Sequence, residues 1–162
     1  MTKQDALYLD DLVVGAEYRS ADHALDAEQI RNFASQFDPQ PFHLDDEAAQ
    51  DSLFQGLSAS GWHTASLTMK LWVSSFPLAK GLIGAGTEIK WPQPTRPTDI
   101  LHVVSKILSI TPSRSKTDRG IVSMQCRTLN QHGDLLQDQV VRLVVMRRVK
   151  PSSTMRTTTP HS

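Results

Sequence analysis

The chain has 162 residues, of which 39% are hydrophobic and 21% are charged, and this length suits one globular domain with a sizeable core. Seventeen lysine and arginine residues balance seventeen aspartate and glutamate residues without a long run of like charge, which argues against nucleic acid or an anionic membrane surface as the main partner. Small ligands and protein partners remain as candidates.

The amino terminus, MTKQDALYLDD, lacks the apolar run of a signal peptide, and no later stretch approaches the roughly 20 apolar residues that a membrane-spanning helix needs. We therefore expect a soluble, cytoplasmic protein. The single cysteine, Cys126, has no partner for a disulfide within the chain and no neighbour at metal-ligand spacing. It alternates with Val122 and Met124, a pattern that predicts a small side chain in the core.

The first half of the chain predicts a short strand near Tyr18 and then helices. The sequence DAEQ (residues 26–29) has the form of a capped helix start and is followed by apolar residues at helical spacing, so we place a helix over about 26–37. Asp45 opens a short acidic helix, DDEAAQDS. A more apolar helix follows over about 62–75, and its small polar surface predicts that it is buried.

Between the first two helices lies FDPQPFHLD (residues 37–45), in which two prolines stiffen the chain. Proline restrains the residue before it to an extended conformation, so Asp38 and Gln40 are held and no helix is expected to run through the segment. The segment thereby fixes Asp38 relative to His43. A histidine that shares a proton with a carboxylate can take a proton from water, whereas each residue alone is more simply a turn former or a solvated side chain.

Small residues lead into the apolar helix in SASGWHT (residues 58–64). Backbone N–H groups at a helix start lack an intrahelical acceptor and lie at the positive end of the helix dipole. Gly61 is therefore a candidate donor to a carbonyl oxygen that gains negative charge, since it has no side chain to block a ligand. The alternative is that Ser60 caps the helix and Gly61 serves packing. His63 is expected to pack beside the helix start.

The second half of the chain has strand character. Glycines at 81, 84 and 86 precede TEIKWPQP, whose prolines end a short strand, and alternating runs follow at 101–108, 122–126 and 141–145. The sequence NQHG (residues 130–133) predicts a hairpin between the last two strands. This order predicts an α+β domain in which an antiparallel sheet covers one buried helix and leaves an edge strand free to pair with a second copy.

We assign this single domain to residues 1–150. The final residues, PSSTMRTTTPHS (151–162), are poor in apolar side chains and predict a mobile tail.

The motif D-x-x-P-x-H-x-D (residues 38–45), followed by Gly61 and a helix that contains HTASL, resembles the MaoC-like family of hot-dog-fold dehydratases and (R)-specific enoyl-CoA hydratases. The segments WPQP (91–94) and PTD (97–99) before a long strand match the family's order of elements. The likeness extends over about residues 8–148. Its core, D-x-x-P-x-H with a glycine at the helix start, is fairly specific.

The resemblance implies a single hot-dog domain, a curved antiparallel sheet around the 62–75 helix, paired as a homodimer or a dimer of dimers. It implies that Asp38 and His43 activate a water that adds across the double bond of a trans-2-enoyl thioester, carried on coenzyme A or on an acyl carrier protein. It further implies that the Gly61 N–H binds the thioester carbonyl. This chemistry needs no metal and no redox cofactor.

Four residues near this predicted site are our candidates for substrate binding: Phe37, Gln40, Ser60 and Trp62. Family members usually carry glycine in place of Phe37 and asparagine in place of Gln40, and often histidine in place of Ser60, so the acyl pocket is expected to differ in shape. Two other functions stay open. One is a thioesterase, in which a carboxylate-activated water attacks the carbonyl, and the other is an acyl-binding module without catalysis.

Overall fold

A computed structural model describes residues 5–149 of the chain, so the predicted tail at 151–162 lies outside the described residues. After a short 3-10 helix, Leu9–Asp11, the elements in chain order are β1 Glu17–Arg19, β2 His23–Ala24, α1 Ala27–Phe37, α2 Pro41–Leu44, α3 Asp46–Gln50, α4 Gly61–Ser75, β3 Ile83–Lys90, β4 Ile100–Pro112, β5 Arg119–Leu129 and β6 Leu135–Met146. In this part of the chain, no helix is both long enough and apolar enough to cross a membrane.

The first helices follow the predicted boundaries closely. The Asp26 carboxylate accepts a hydrogen bond from the Gln29 N–H at 2.9 Å and caps α1, and Asp45 caps α3. Helix α1 ends before the prolines, as expected, but the segment that follows is not irregular throughout. Pro41 is the first residue of the single helical turn α2, a position at which its fixed φ and missing N–H cost the helix nothing.

Helix α4 begins at Gly61, one residue before the predicted start, and it is buried on one face only. Leu67, Leu71 and Trp72 enter the core against the sheet. Met69 and Val73 are exposed on the opposite face, so the prediction that the whole helix is buried was wrong. The physical reason is that the sheet covers only the side of the helix that faces it.

The strands form an antiparallel sheet in the order β1-β4-β5-β6-β3, and β2 also pairs with β4. A turn at residues 130–134 joins β5 to β6 as the predicted hairpin, with Gly133 at a φ of 80° that favours glycine. Cys126 on β5 is fully buried, as its alternation predicted. Strand β3 lies at the edge, where it pairs with β6 alone among the described strands. The chain leaves β3 through Trp91 and Pro92 and passes beside the start of α4.

Candidate active site

Asp38 and His43 meet where α1 ends and α2 begins. Asp38 is the residue that terminates α1, and His43 lies in the turn that Pro41 starts. The Asp38 Oδ2 atom lies 3.3 Å from His43 Nε2, and the two side chains are only 16% and 5% exposed. The predicted pair therefore faces inward with its two functional groups in contact.

The other ring nitrogen of His43 fixes the orientation of the imidazole. Nδ1 lies 2.6 Å from the backbone oxygen of Ser58. A carbonyl oxygen only accepts hydrogen bonds, so Nδ1 carries a hydrogen, and Nε2 is the ring nitrogen that faces Asp38. Sequence reasoning missed this role of Ser58, because a backbone carbonyl 15 residues away carries no side-chain signal.

Asp38 is held by two hydrogen-bond donors as well as by His43. The Ser60 hydroxyl donates to Oδ2 at 2.6 Å, and the Gln40 side-chain amide donates to Oδ1. Burial by itself would raise the pKa of Asp38, but the bonds from Ser60 and Gln40 and the neighbouring His43 lower that pKa below its usual value. Asp38 is accordingly a carboxylate at neutral pH.

Gly61 stands at the start of α4, where the explanation by capping and packing holds. The Ser60 hydroxyl caps the helix by accepting from the Trp62 N–H at 3.3 Å. Within residues 5–149 the Gly61 N–H has no hydrogen-bond acceptor, and Gly61 lines the same cavity as His43. A Cβ at position 61 would lie 2.8 Å from the Trp91 indole, so the glycine also permits this close packing.

The cavity has a volume of about 620 Å³ and opens to solvent. Its walls come from the α2 turn, the 53–55 segment, the start of α4 and the 91–96 segment, and they include Gln40, His43, Phe54, Gly61, Thr64 and Trp91. The Arg96 guanidinium donates to the backbone oxygens of Phe54 and Gly56 and thereby fixes the wall that these residues form. The arrangement places the His43 ring and Gly61 around one solvent-accessible space, with Asp38 in contact with His43.

The four candidate substrate-binding residues divide into two groups. Gln40 lines the cavity, and Ser60 is buried behind it, where it binds Asp38. Phe37 is 69% exposed and packs on Phe33, and the 61% exposed Trp62 packs on the edge of the Trp91 ring. The structure therefore brings Gln40 and Ser60 to the predicted pair and leaves the side chains of Phe37 and Trp62 outside the cavity wall.

His63 packs beside the helix start, as predicted. Its ring lies parallel to the Phe33 ring, with 4.6 Å between the ring centroids. Burial first, and then the nearby charges of His23 and His43, lower its pKa to about 4. His63 is therefore neutral at physiological pH, and its Nδ1 atom is buried without a hydrogen-bond partner among the residues described.

The sequence is similar to those of known proteins. A family model described as the MaoC-like domain matches residues 12–126. The uncharacterized protein YdeM of Bacillus subtilis is 32% identical to this chain over 126 residues, which are 76% of this chain and 87% of YdeM.

Solved structures extend the likeness to three dimensions. A MaoC-like dehydratase from Rhodospirillum rubrum is 57% identical, with a TM-score of 0.88 over 90% of this chain and 100% of that one. An (R)-hydratase from A. caviae involved in PHA biosynthesis is 25% identical, with a TM-score of 0.67 over 85% of this chain and 98% of that one. The similarity confirms the predicted α+β hot-dog fold and the resemblance from which it was inferred.

Proposed function

The chain belongs to the MaoC-like domain family, and we propose that it adds water to a trans-2-enoyl-CoA to give an (R)-3-hydroxyacyl-CoA, or catalyses the reverse dehydration. One observation carries the proposal: the Asp38 carboxylate and the His43 imidazole are 3.3 Å apart, and His43 lines the same cavity as Gly61, the first residue of α4. The (R)-hydratase and dehydratase names of structurally similar proteins support the same reaction class.

In the hydration direction, Asp38 and His43 act together as the base. His43 Nε2 is free to accept because Nδ1 already donates to Ser58, and Asp38 is ionised because Ser60 and Gln40 stabilise its charge. As the water oxygen bonds to C3 of the enoyl group, the pair takes one proton from the water. The electrons of the double bond move toward the thioester, and the pair returns the proton to C2.

The Gly61 N–H has the complementary role in this proposal. Attack at C3 places negative charge on the thioester oxygen, and an amide at the positive end of a fifteen-residue helix stabilises that charge. A single donor of this kind is worth about 3 kcal/mol in the transition state. The absence of a side chain at position 61 lets the thioester approach the backbone.

Incubation with crotonyl-coenzyme A tests the proposal directly. Hydration removes the conjugated enoyl absorbance without releasing a thiol, and this is the result that we expect. Release of free thiol instead would identify a thioesterase. If neither signal appears but acyl-coenzyme A raises the melting temperature, the protein is a binding module and the hydratase proposal is rejected. The same assay with a crotonyl acyl carrier protein identifies the preferred carrier.

We also propose that two copies of the chain associate through the β3 edge. Among the described strands β3 has one unpaired edge, and Val73 and Ile83 are exposed apolar side chains nearby. Sedimentation velocity should give the mass of a dimer or of a dimer of dimers, and Ile83→Glu should shift the population toward monomer. A monomeric wild-type protein at micromolar concentration would contradict this part of the proposal.

A further inference from the structure

Trp91 is restrained from three sides at the border of the cavity. Its indole Nε1 donates to Gln137 Oε1 at 2.9 Å, and Gln137 is fully buried. One side of the indole lies against Gly61, so closely that a Cβ there would be 2.8 Å away. The Trp62 ring meets it edge-on, with 5.4 Å between centroids. The indole, although 42% exposed, is thus held in place beside the amide that receives the thioester carbonyl in the proposed reaction.

A second cavity of about 420 Å³, lined by α4, β3 and β6, has no role in the reaction so far. Met69, Gly86, Thr87 and Val141 are among its lining residues. Met69 lies eight residues after Gly61 on the same helix, a rise of about 12 Å along the axis. The distance from the proposed carbonyl site to this cavity is therefore comparable to the length of a medium acyl chain.

A line of hydrogen bonds runs from one cavity to the other. Trp91 donates to Gln137, the Gln137 amide donates to Gln139 Oε1 at 3.4 Å, and the Gln139 amide donates to Thr87 Oγ1 at 3.0 Å. Trp91 lines the first cavity, whereas Gln139 and Thr87 line the second. Gln137, which lines neither cavity, thus links the indole in the lining of the first cavity to Gln139 in the lining of the second.

We propose that Trp91 is the residue that limits acyl-chain length, because its indole closes the first cavity against the second. This inference rests on the proposed function, since it takes the Gly61 amide as the position of the thioester carbonyl. A short acyl chain fits on the near side of the indole. A chain of eight carbons requires the space beyond it, so replacing the indole with a small side chain joins the two cavities and admits the longer chain.

The test compares kcat/KM for crotonyl-CoA and trans-2-octenoyl-CoA in the wild type and in Trp91→Ala. We expect the wild type to prefer crotonyl-CoA by at least about tenfold, and Trp91→Ala to raise the octenoyl-to-crotonyl ratio by at least about tenfold, the effect typical of a changed apolar pocket. Val13→Ala is the control, because it truncates an apolar side chain that is 65% exposed and lies outside the cavity wall. Its ratio should equal that of the wild type.

Each result separates this inference from the proposed function. Hydration of crotonyl-CoA with an unchanged ratio in Trp91→Ala overturns the role of Trp91 and leaves the hydratase intact. If neither enoyl-CoA is hydrated, the proposed function fails. The ratio of the binding affinities for octanoyl-CoA and butyryl-CoA, in the wild type and in Trp91→Ala, then tests the role of Trp91 without catalysis. If Trp91→Ala does not fold, the test is the wild-type kcat/KM for crotonyl-CoA against that for trans-2-octenoyl-CoA. Equal values would contradict a partition at Trp91.

Discussion

The cavity has two walls of different construction. The polar wall consists of His43, which lines the cavity, and of Asp38 and Ser60 behind it, and contacts of 3.3 Å or less join the three side chains. The aromatic wall consists of Trp91, which lines the cavity, and of the buried Gln137 behind it; a hydrogen bond to Gln137 and close packing on Gly61 hold the indole. Under the proposed function, the polar wall performs proton transfer and the aromatic wall sets the shape of the site.

This division predicts distinct kinetic consequences for the two walls. Groups that act on the reacting atoms lower kcat when they are removed, whereas groups that shape an apolar pocket change the ratio of kcat/KM between substrates. Trp91→Ala tests the aromatic wall as described above. The following variants test the polar wall, beginning with the largest expected effect.

Asp38→Asn and His43→Gln should each lower kcat for crotonyl-CoA hydration by about a thousandfold, the magnitude typical of general acid–base catalysis. Asparagine cannot accept a proton at neutral pH, and glutamine lacks the basic nitrogen. The melting temperature should stay close to that of the wild type, because both substitutions preserve the approximate size of the side chain.

Asp46→Asn is the control for this pair of variants, since Asp46 is an exposed aspartate nearby that pairs with Arg31 at 2.8 Å. It should retain the wild-type rate. A near-normal kcat in either Asp38→Asn or His43→Gln would reject the proton-transfer role of the polar wall.

Ser60→Ala should have a smaller effect, which appears mainly in the pH profile. The Ser60 hydroxyl stabilises the charged form of Asp38, so its removal raises the pKa of that carboxyl. The acid limb of kcat/KM should therefore move to higher pH, with a loss of about tenfold near the limb. Loss of the cap on α4 also costs about 1 kcal/mol of stability.

Ser66→Ala separates these two effects. Ser66 lies on the exposed side of α4, where its hydroxyl donates to the Trp62 carbonyl, so this variant perturbs the helix without touching Asp38. It should leave the acid limb in place. An acid limb in Ser60→Ala that coincides with the wild type would show that Ser60 is only a helix cap.

The polar wall could be predicted from sequence largely because its signals are local. The cap at Asp26, the two prolines and the small residues before α4 each restrict the backbone within a few positions, and together they placed Asp38, His43 and Gly61 correctly near one another. The roles of these residues in catalysis stay a prediction, which the variants above test.

The aromatic wall could not be predicted in the same way. Trp91 and Gln137 are 46 positions apart, and their contact depends on how β3 and β6 align in the sheet, which no local pattern specifies. Phe37 and Trp62 show the related difficulty that sequence neighbours of a site need not point into it. Successive residues on a helix diverge by about 100°, so a side chain next to a site residue can face solvent.

A further prediction concerns stability rather than rate, and it involves His63 behind the polar wall. The pKa of His63 is lowered to about 4 in the folded protein, while an unfolded histidine has a pKa of about 6.5. Between these values the unfolded state binds a proton that the folded state does not. Stability should therefore fall as the pH drops from about 6.5 to about 4, by roughly 2 kcal/mol after allowance for solvent screening.

Urea unfolding at several pH values between 7 and 4 measures this loss. His63→Phe should remove much of it, because phenylalanine still stacks on Phe33 and does not titrate. His132→Gln, an exposed histidine in the β5–β6 turn, should retain the wild-type dependence. An unaltered pH slope in His63→Phe would contradict the assignment. Trp91→Ala should keep the wild-type dependence of the unfolding free energy on pH, since neither Trp91 nor Gln137 carries an ionisable group. The pH dependence of stability should therefore depend on His63 behind the polar wall, and the substrate preference on the aromatic wall.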